Sequence, residues 1–140
     1  MIRRIEISDI DEVARIWLDT NITAHNFISS NYWYSKLDEV QQALYNAEVF
    51  VIQEENKICG FIGLDKNYVL GIFVETTMQS KGFGKQLLDY SKMIRNELVL
   101  NVYQKNEKAI QFYKYQNFTM INELTDYDTN EKEYVMQWIR

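Results

Sequence analysis

The residues best suited to chemistry form a short turn, Gln79-Ser80-Lys81-Gly82-Phe83-Gly84-Lys85, which follows the apolar run Leu70-Gly71-Ile72-Phe73-Val74 and leads into a helical pattern. The first turn of a helix leaves backbone N–H groups without internal partners and carries a partial positive charge. A diphosphate placed there accepts several hydrogen bonds at once. Glycine at 82 and 84 lets such a group approach the backbone, and Lys81 and Lys85 add charge at the rim. Two other phosphate motifs fail on inspection. A dinucleotide fingerprint needs glycine at 87, where Leu87 stands, and a P-loop needs glycine at 79 and Ser or Thr at 86, where Gln79 and Gln86 stand. Alone, the heptapeptide also fits a turn into a helix that holds no ligand.

The elements that must position this turn follow from periodicity. Ile2 to Ile7 alternates as a first strand. Ser8 and Asp11 mark a helix start, and Ile10, Val13, Ala14 and Trp17 share one face of a helix that should run to about Leu18. Residues 21–31 read as irregular, and Tyr34, Leu37, Val40 and Leu44 return at helical spacing. Glu48 to Gln53 and Lys57 to Asp65 form a hairpin around Glu-Glu-Asn, with Tyr68 to Val74 the next strand. Gly82 to Asn96 is helical, Leu98 to Tyr103 extended and Asn106 to Gln116 helical. Phe118 to Leu124 and Glu133 to Ile139 close the chain as paired strands. The order βααβββαβαββ predicts an α/β (α+β) fold: a mixed, mainly antiparallel sheet flanked by helices on both faces, in one domain spanning 1–140.

With 140 residues, 46% hydrophobic and 25% charged, and without proline, repeats or low-complexity tracts, the chain should fold alone. No apolar run is long enough to cross a bilayer, and the N-terminus lacks the apolar stretch of a signal peptide, so a cytoplasmic protein is expected, away from membranes. The single cysteine, Cys59, sits among apolar residues and reads as a buried strand residue without chemistry. The net charge of −5 disfavours nucleic acid as a partner. Residues 79–116 carry seven Lys/Arg against three acidic residues, a local excess of four positive charges that leaves nine negative ones elsewhere. This segment suits an anion, although ordinary solvated helix faces account for most of these lysines as well, so position must decide.

Downstream lies Asn106-Glu-Lys-Ala109-Ile-Gln-Phe112-Tyr113-Lys-Tyr-Gln-Asn117-Phe118. A Q-x-x-G-x-G turn after a strand, joined to N-x-x-A-x-x-F-Y ahead of a final Phe, resembles the GNAT superfamily of N-acetyltransferases, and the element order extends the resemblance over essentially the whole chain. It implies acetyl-coenzyme A as cofactor, with the pyrophosphate on the backbone of Gln79 through Lys85, including Ser80 and Phe83, and the pantetheine arm along Ile72, Phe73 and Val74. The same resemblance has the Asn106 side chain reaching the cofactor, Ala109 packing beside it, and Tyr113 near the thioester sulfur as general acid. The chain departs from the pattern at Thr76, where proline is frequent, at Gly71 within the strand, and at Asn117, where many members have glycine.

The segment Trp17 to Ile28, followed by Tyr32-Trp33, is similar to the part that shapes the acceptor side in some of these enzymes. It makes His25, Phe27, Tyr32 and Trp33 candidate acceptor-site residues, although hydrogen-bonded structural and core roles fit them as well. The implied reaction is acetyl transfer to an amine by direct attack. An amine of pKa ~10.4 must lose a proton, at a cost of about 4.6 kcal/mol at pH 7, and Glu75, His25 or a water chain could take it. The negative remainder of the chain favours a cationic acceptor. A monomer or homodimer is expected, and no metal. A non-catalytic acetyl-coenzyme A-binding module is the alternative.

Overall fold

The computed structural model describes residues 1–140. Seven strands form one sheet: β1 (Ile2–Arg4), β2 (Glu48–Glu54), β3 (Lys57–Asp65), β4 (Tyr68–Val74), β5 (Glu97–Tyr103), β6 (Thr119–Asp126) and β7 (Glu131–Ile139), in the spatial order β1-β2-β3-β4-β5-β7-β6. Four helices complete it: α1 (Ile10–Ala24), α2 (Ser30–Asn46), α3 (Phe83–Ile94) and α4 (Glu107–Tyr115). The element order and the mixed, mainly antiparallel sheet match the reading from sequence.

Helices cover both faces. On one, Leu87 and Leu88 of α3 and Ile110 and Tyr113 of α4 pack on Ile62, Leu98, Leu100 and Met136 of the sheet. On the other, Ile10, Val13, Ala14 and Ile16 of α1 and Leu44 of α2 pack on Val49, Val51 and Phe61. Residues 58–64 of β3 are buried along their whole length, because a strand covered on both faces has no solvent side to make polar. Fully burying each such Leu or Ile contributes about 1.5–3 kcal/mol. Cys59 is buried as a free thiol in this strand.

The N-terminal boundaries differ from expectation. β1 ends at Arg4, because the chain turns at Glu6, where Asp9 accepts from the Glu6 N–H (2.8 Å) and grips the Arg3 guanidinium with both oxygens at 2.7 and 3.1 Å. Helix α1 runs six residues beyond Leu18, into the stretch expected to be irregular. Thr20 and Asn21 are weak helix formers, but each satisfies its own side chain within the helix. Thr20 donates to the Ile16 carbonyl (2.7 Å) and Asn21 to the Trp17 carbonyl (2.9 Å). Helix α2 starts at Ser30, with the Ser29 hydroxyl accepting from the Asn31 N–H.

The feature that creates the site is the one parallel pairing in the sheet. β4 and β5 are in register only at Tyr68 and Val99, and the Val99 N–H reaches back to the Asn67 carbonyl at 2.9 Å. Beyond that point the strands diverge, and the C-terminal half of β4 presents an edge with no strand beside it.

Candidate active site

The gap between β4 and β5 opens into a cleft of about 760 Å³. Its walls come from β4, β5, the turn before α3, one side of α4, the second half of α1, Trp33 of α2 and Glu133 of β7. A crevice at the carboxyl ends of diverging parallel strands is where α/β sheets bind ligands.

At one end lies the glycine turn. Ser80 and Gly82 both adopt left-handed conformations, with φ of 67° and 86°. This geometry sits at the helix entrance, where Gly82 is the N-cap residue of α3. No backbone N–H from Ser80 to Lys85 donates to a backbone acceptor, whereas Gln86 donates to the Gly82 carbonyl at 3.0 Å and starts the helix. Six consecutive donors are thus free at the positive end of a helix of 12 residues. The Gln79 side chain donates to the Val74 carbonyl at 3.1 Å and ties the turn to the end of β4. Gln79, Ser80, Gly82, Phe83, Gly84 and Lys85 line the cleft, with Ile72, Phe73 and Val74 of β4. Lys81 does not line it, and Lys85 pairs with Asp89 at 2.6 Å. The space above Gly71 is filled by the Phe73 ring, which stacks on Phe61 with centroids 4.9 Å apart, so this glycine makes room for a core side chain.

Asn106 caps α4: its Oδ1 accepts from the Ala109 N–H at 3.2 Å. That bond turns its amide nitrogen toward His25 Nε2, 3.1 Å away. The His25 Nδ1 faces Asn21 Oδ1 at 3.1 Å, and the Asn21 amide nitrogen is itself committed to the Trp17 carbonyl. The orientations are mutually consistent only if His25 carries its proton on Nδ1 and accepts at Nε2, so a neutral imidazole bridges α1 to α4. Burial pushes its pKa down to about 4. The ring is enclosed by Trp33, Tyr103 and Phe27, with centroids 5.4, 5.0 and 5.7 Å away. Both ring nitrogens are engaged.

Tyr113 is buried between Phe112 and Phe118, with Ala109 on the same helix, and lines the cleft. Its hydroxyl has no hydrogen-bond partner in the protein. Burial, with the Tyr68 phenol nearby, raises its pKa well above the ordinary phenol value, so it stays protonated. Asn117 takes a left-handed conformation (φ 69°) just beyond α4, and Phe118 donates back to the Tyr113 carbonyl at 3.0 Å. Asn117 thus performs the C-terminal role for which glycine is frequent.

Glu75 follows β4 but turns away from the cleft. It is buried and pairs with Arg15 of α1 at 2.6 Å. Of the expected acceptor-side aromatics, Trp33 lines the cleft beside Trp17, while Phe27 and Tyr32 stand behind it. Tyr32 packs edge-on against Trp33, its hydroxyl 3.5 Å from Asp128. Burial together with Asp126 and Asp128 pushes its pKa up to about 12.

This architecture of a splayed β4/β5 pair with a glycine turn at its end coincides with the match of residues 45–120 to the family model of the acetyltransferase (GNAT) domain. The chain belongs to the GNAT acetyltransferase family. Peptidyl-lysine N-acetyltransferase YiaC of Escherichia coli (strain K12) is 32% identical over 140 residues, covering 99% of this chain and 96% of its own. The solution structure of the apo form of YjaB from Escherichia coli has a TM-score of 0.87 at 25% identity, with 99% of this chain and 96% of that one aligned. PaiA N-acetyltransferase from Thermoplasma acidophilum, solved in complex with coenzyme A, shares the fold at a TM-score of 0.80 and 19% identity, over 100% of this chain and 98% of that one. Membership in this family makes the chain an acyltransferase that uses acetyl-coenzyme A and transfers acetyl to an amine.

The GNAT cleft also gathers residues that the sequence did not single out. Tyr68 and Leu70 of β4, Asn101 and Tyr103 of β5, and Glu133 of β7 line it as well. The Tyr103 hydroxyl donates to Asp126 at 2.7 Å. The available signal was positional: Tyr103 ends a strand at the carboxyl edge of the sheet, where ligands bind. Glu133 arrives through the pairing of β5 with β7, opposite Tyr103, which no local pattern announces. No helix is long and apolar enough to cross a membrane.

Proposed function

We propose that this enzyme acetylates the primary amine of a cationic acceptor, a peptide lysine being the class favoured, by direct attack on the thioester with Tyr113 assisting the leaving thiolate. One observation carries the reading. The Tyr113 hydroxyl is unpartnered and protonated, in a cleft whose lining also includes the glycine turn with its free N–H groups and the aromatic side chains Trp17, Trp33, Tyr68 and Tyr103. A polyphosphate at the turn and a pantetheine arm along the edge of β4 direct the thioester toward that hydroxyl.

Acceptor chemistry is supported by the aromatic lining. Trp17, Trp33, Tyr68 and Tyr103 offer π faces that attract an ammonium, and Leu70 suits an aliphatic stem. The names of the YiaC and YjaB relatives, both peptidyl-lysine N-acetyltransferases, point the same way. The amine nitrogen attacks the carbonyl carbon, a free N–H of the β4 edge near Val74 stabilises the oxyanion, and the C–S bond breaks. A phenol is a weaker acid than a thiol, and burial weakens Tyr113 further, so its part is largely hydrogen-bond donation to the departing sulfur. The reducing cytosol suits a protein whose cysteine is a free thiol.

The test is thiol release from acetyl-coenzyme A with a panel of lysine peptides, polyamines and neutral amines, using wild type and Tyr113→Phe. Wild type turns over with cationic primary amines, and Tyr113→Phe lowers kcat roughly 10- to 100-fold with cofactor affinity retained. Thiol release with no amine would leave only the binding-module reading, and an unchanged kcat in the variant would remove Tyr113 from the mechanism.

A further inference from the structure

Acetyl transfer to an alkyl ammonium needs a proton acceptor, and neither of the two candidates named from the sequence is free to act. Glu75 is committed to Arg15 and lies outside the cleft lining. The two nitrogens of His25 are held by Asn21 and Asn106. That leaves another side chain of the cleft, acting directly or through a water chain, the third candidate.

Among the residues that line the cleft, one side chain is a carboxylate: Glu133. The cations of the lining, Lys85 and Lys108, belong to α3 and α4, and Lys85 is paired with Asp89. Glu133 is half-buried and makes no salt bridge, its one polar contact being a long hydrogen bond from the Asn101 amide at 3.5 Å. Pairing of Glu133 with Tyr103 across the β5/β7 ladder puts both side chains on the same face of the sheet. The Tyr68 phenol lies within electrostatic reach of both Glu133 and Tyr113, so the carboxylate and the phenol assigned to the thiolate flank one space.

We propose that Glu133 receives the acceptor's ammonium and takes its proton, making it the general base of the acetyl transfer. The assignment rests on the N-acetyltransferase reading above. The ammonium docks against Glu133 between the faces of Tyr68 and Tyr103, its proton passes to the carboxylate, and the neutral nitrogen forms the N–C bond as the C–S bond breaks. The nitrogen gives up two protons in all. One ends on the thiol, by way of Tyr113, and the other passes from Glu133 to solvent, which restores both side chains. Nothing is oxidised or reduced.

The surroundings suit this task. Burial raises the Glu133 pKa above the usual carboxylate range, and the Asp126 carboxylate of β6 adds to the rise, while the Asn101 amide opposes it. A better base than an exposed glutamate results. The other groups facing it are the phenols of Tyr68 on β4 and Tyr103 on β5, both with pKa values raised by burial. The neutral imidazole of His25 packs on Tyr103. Lys105 is engaged by Glu131 at 3.1 Å. Glu133 itself forms an ion pair with no lysine or arginine, its one polar partner being Asn101.

The experiment compares wild type, Glu133→Gln and Glu133→Asp in thiol-release assays from pH 6 to 10, with a lysine peptide and with a hydrazide whose nitrogen is already neutral at pH 7. Thermal melts with acetyl-coenzyme A establish that each variant is folded and binds the cofactor. At pH 7, Glu133→Gln should lose about 100-fold in kcat/KM with the lysine peptide. That deficit should shrink steadily toward pH 10 as free amine becomes abundant, and be less than about 5-fold with the hydrazide at every pH. Glu133→Asp should recover part of the activity. A Glu133→Gln variant that binds acetyl-coenzyme A and shows the wild-type pH profile overturns the assignment, as does an equal loss with the hydrazide. Wild type that acetylates no amine overturns the functional reading itself, a different result from an active wild type with an indifferent Glu133.

Discussion

Protonation of His25 should unlock the joint between the two halves of the cleft, because the neutral ring accepts at Nε2 from Asn106, whose other amide atom caps α4. The imidazolium would present an N–H to an N–H. Its folded pKa, about 4, lies below the ordinary value of 6.5, so the unfolded chain binds more protons between these values and stability falls as pH drops through that window. For one group with those two pKa values the loss between pH 7 and pH 5 is about 2 kcal/mol, or about 1–2 kcal/mol after allowance for the ring's partial exposure. The assay is urea denaturation of wild type and His25→Gln at both pH values. Other acid-sensitive contacts, such as Arg3 with Asp9, are common to both proteins and cancel. His25→Gln should be the less stable protein at pH 7, and that gap should close by about 1–2 kcal/mol at pH 5. A gap that stays constant, or widens, would mean that the ring is not held neutral and that the joint is built differently.

Two further outcomes follow from the glycine turn. Gly82→Val should weaken acetyl-coenzyme A binding at least about 10-fold: a Cβ at Gly82 would meet nothing within 4 Å, but the φ of 86° is strained for a β-branched residue, and relaxing it re-aims the free N–H groups. Isothermal titration checks this, and unchanged affinity would count against the turn as the phosphate site. Acetyl-coenzyme A at 100 times its Kd should stabilise the protein by about 2.7 kcal/mol and raise Tm by roughly 6–10 °C, with ATP and NAD giving much less. Equal shifts with ATP would show that phosphate alone, without the pantetheine edge, accounts for binding.

What could be read from the sequence was what local backbone rules decide. The free donors at Ser80 to Lys85 follow from a turn running into a helix, and the left-handed Asn117 from a residue type that tolerates positive φ. Hidden features depend on partners far along the chain. The length of α1 rests on Thr20 and Asn21 bonding their own helix and on Trp17 meeting Trp33 edge-on, 5.8 Å between centroids. Glu75 looked like a free loop carboxylate because Arg15, 60 positions earlier, is invisible to any local window. His25, Asn21 and Asn106 form one chain of hydrogen bonds, yet His25 and Asn106 lie 81 positions apart. The splay of β4 from β5, which makes the cleft, is a property of register rather than of residue type.

Placing the side chains changes what the acidic composition can do. Nine net negative charges outside residues 79–116 suggest a long-range field that collects cations, but the carboxylates behind it are spread over the chain and many sit in local ion pairs. Arg15 takes Glu12, Asp19 and Glu75, Lys36 takes Glu39 and Asp128, and Lys105 takes Glu131. Fields from exposed, paired charges fade within about 8 Å at physiological ionic strength. A half-buried carboxylate at the end of an aromatic pocket acts at contact, where salt screens little. On the proposed reading, a preference for a cationic amine would belong to a few side chains around Glu133 rather than to the acidic composition. In that proposal the amine would be drawn in by contact with one carboxylate and the aromatic faces of the same cleft, while the free N–H groups of the glycine turn would hold the anionic cofactor.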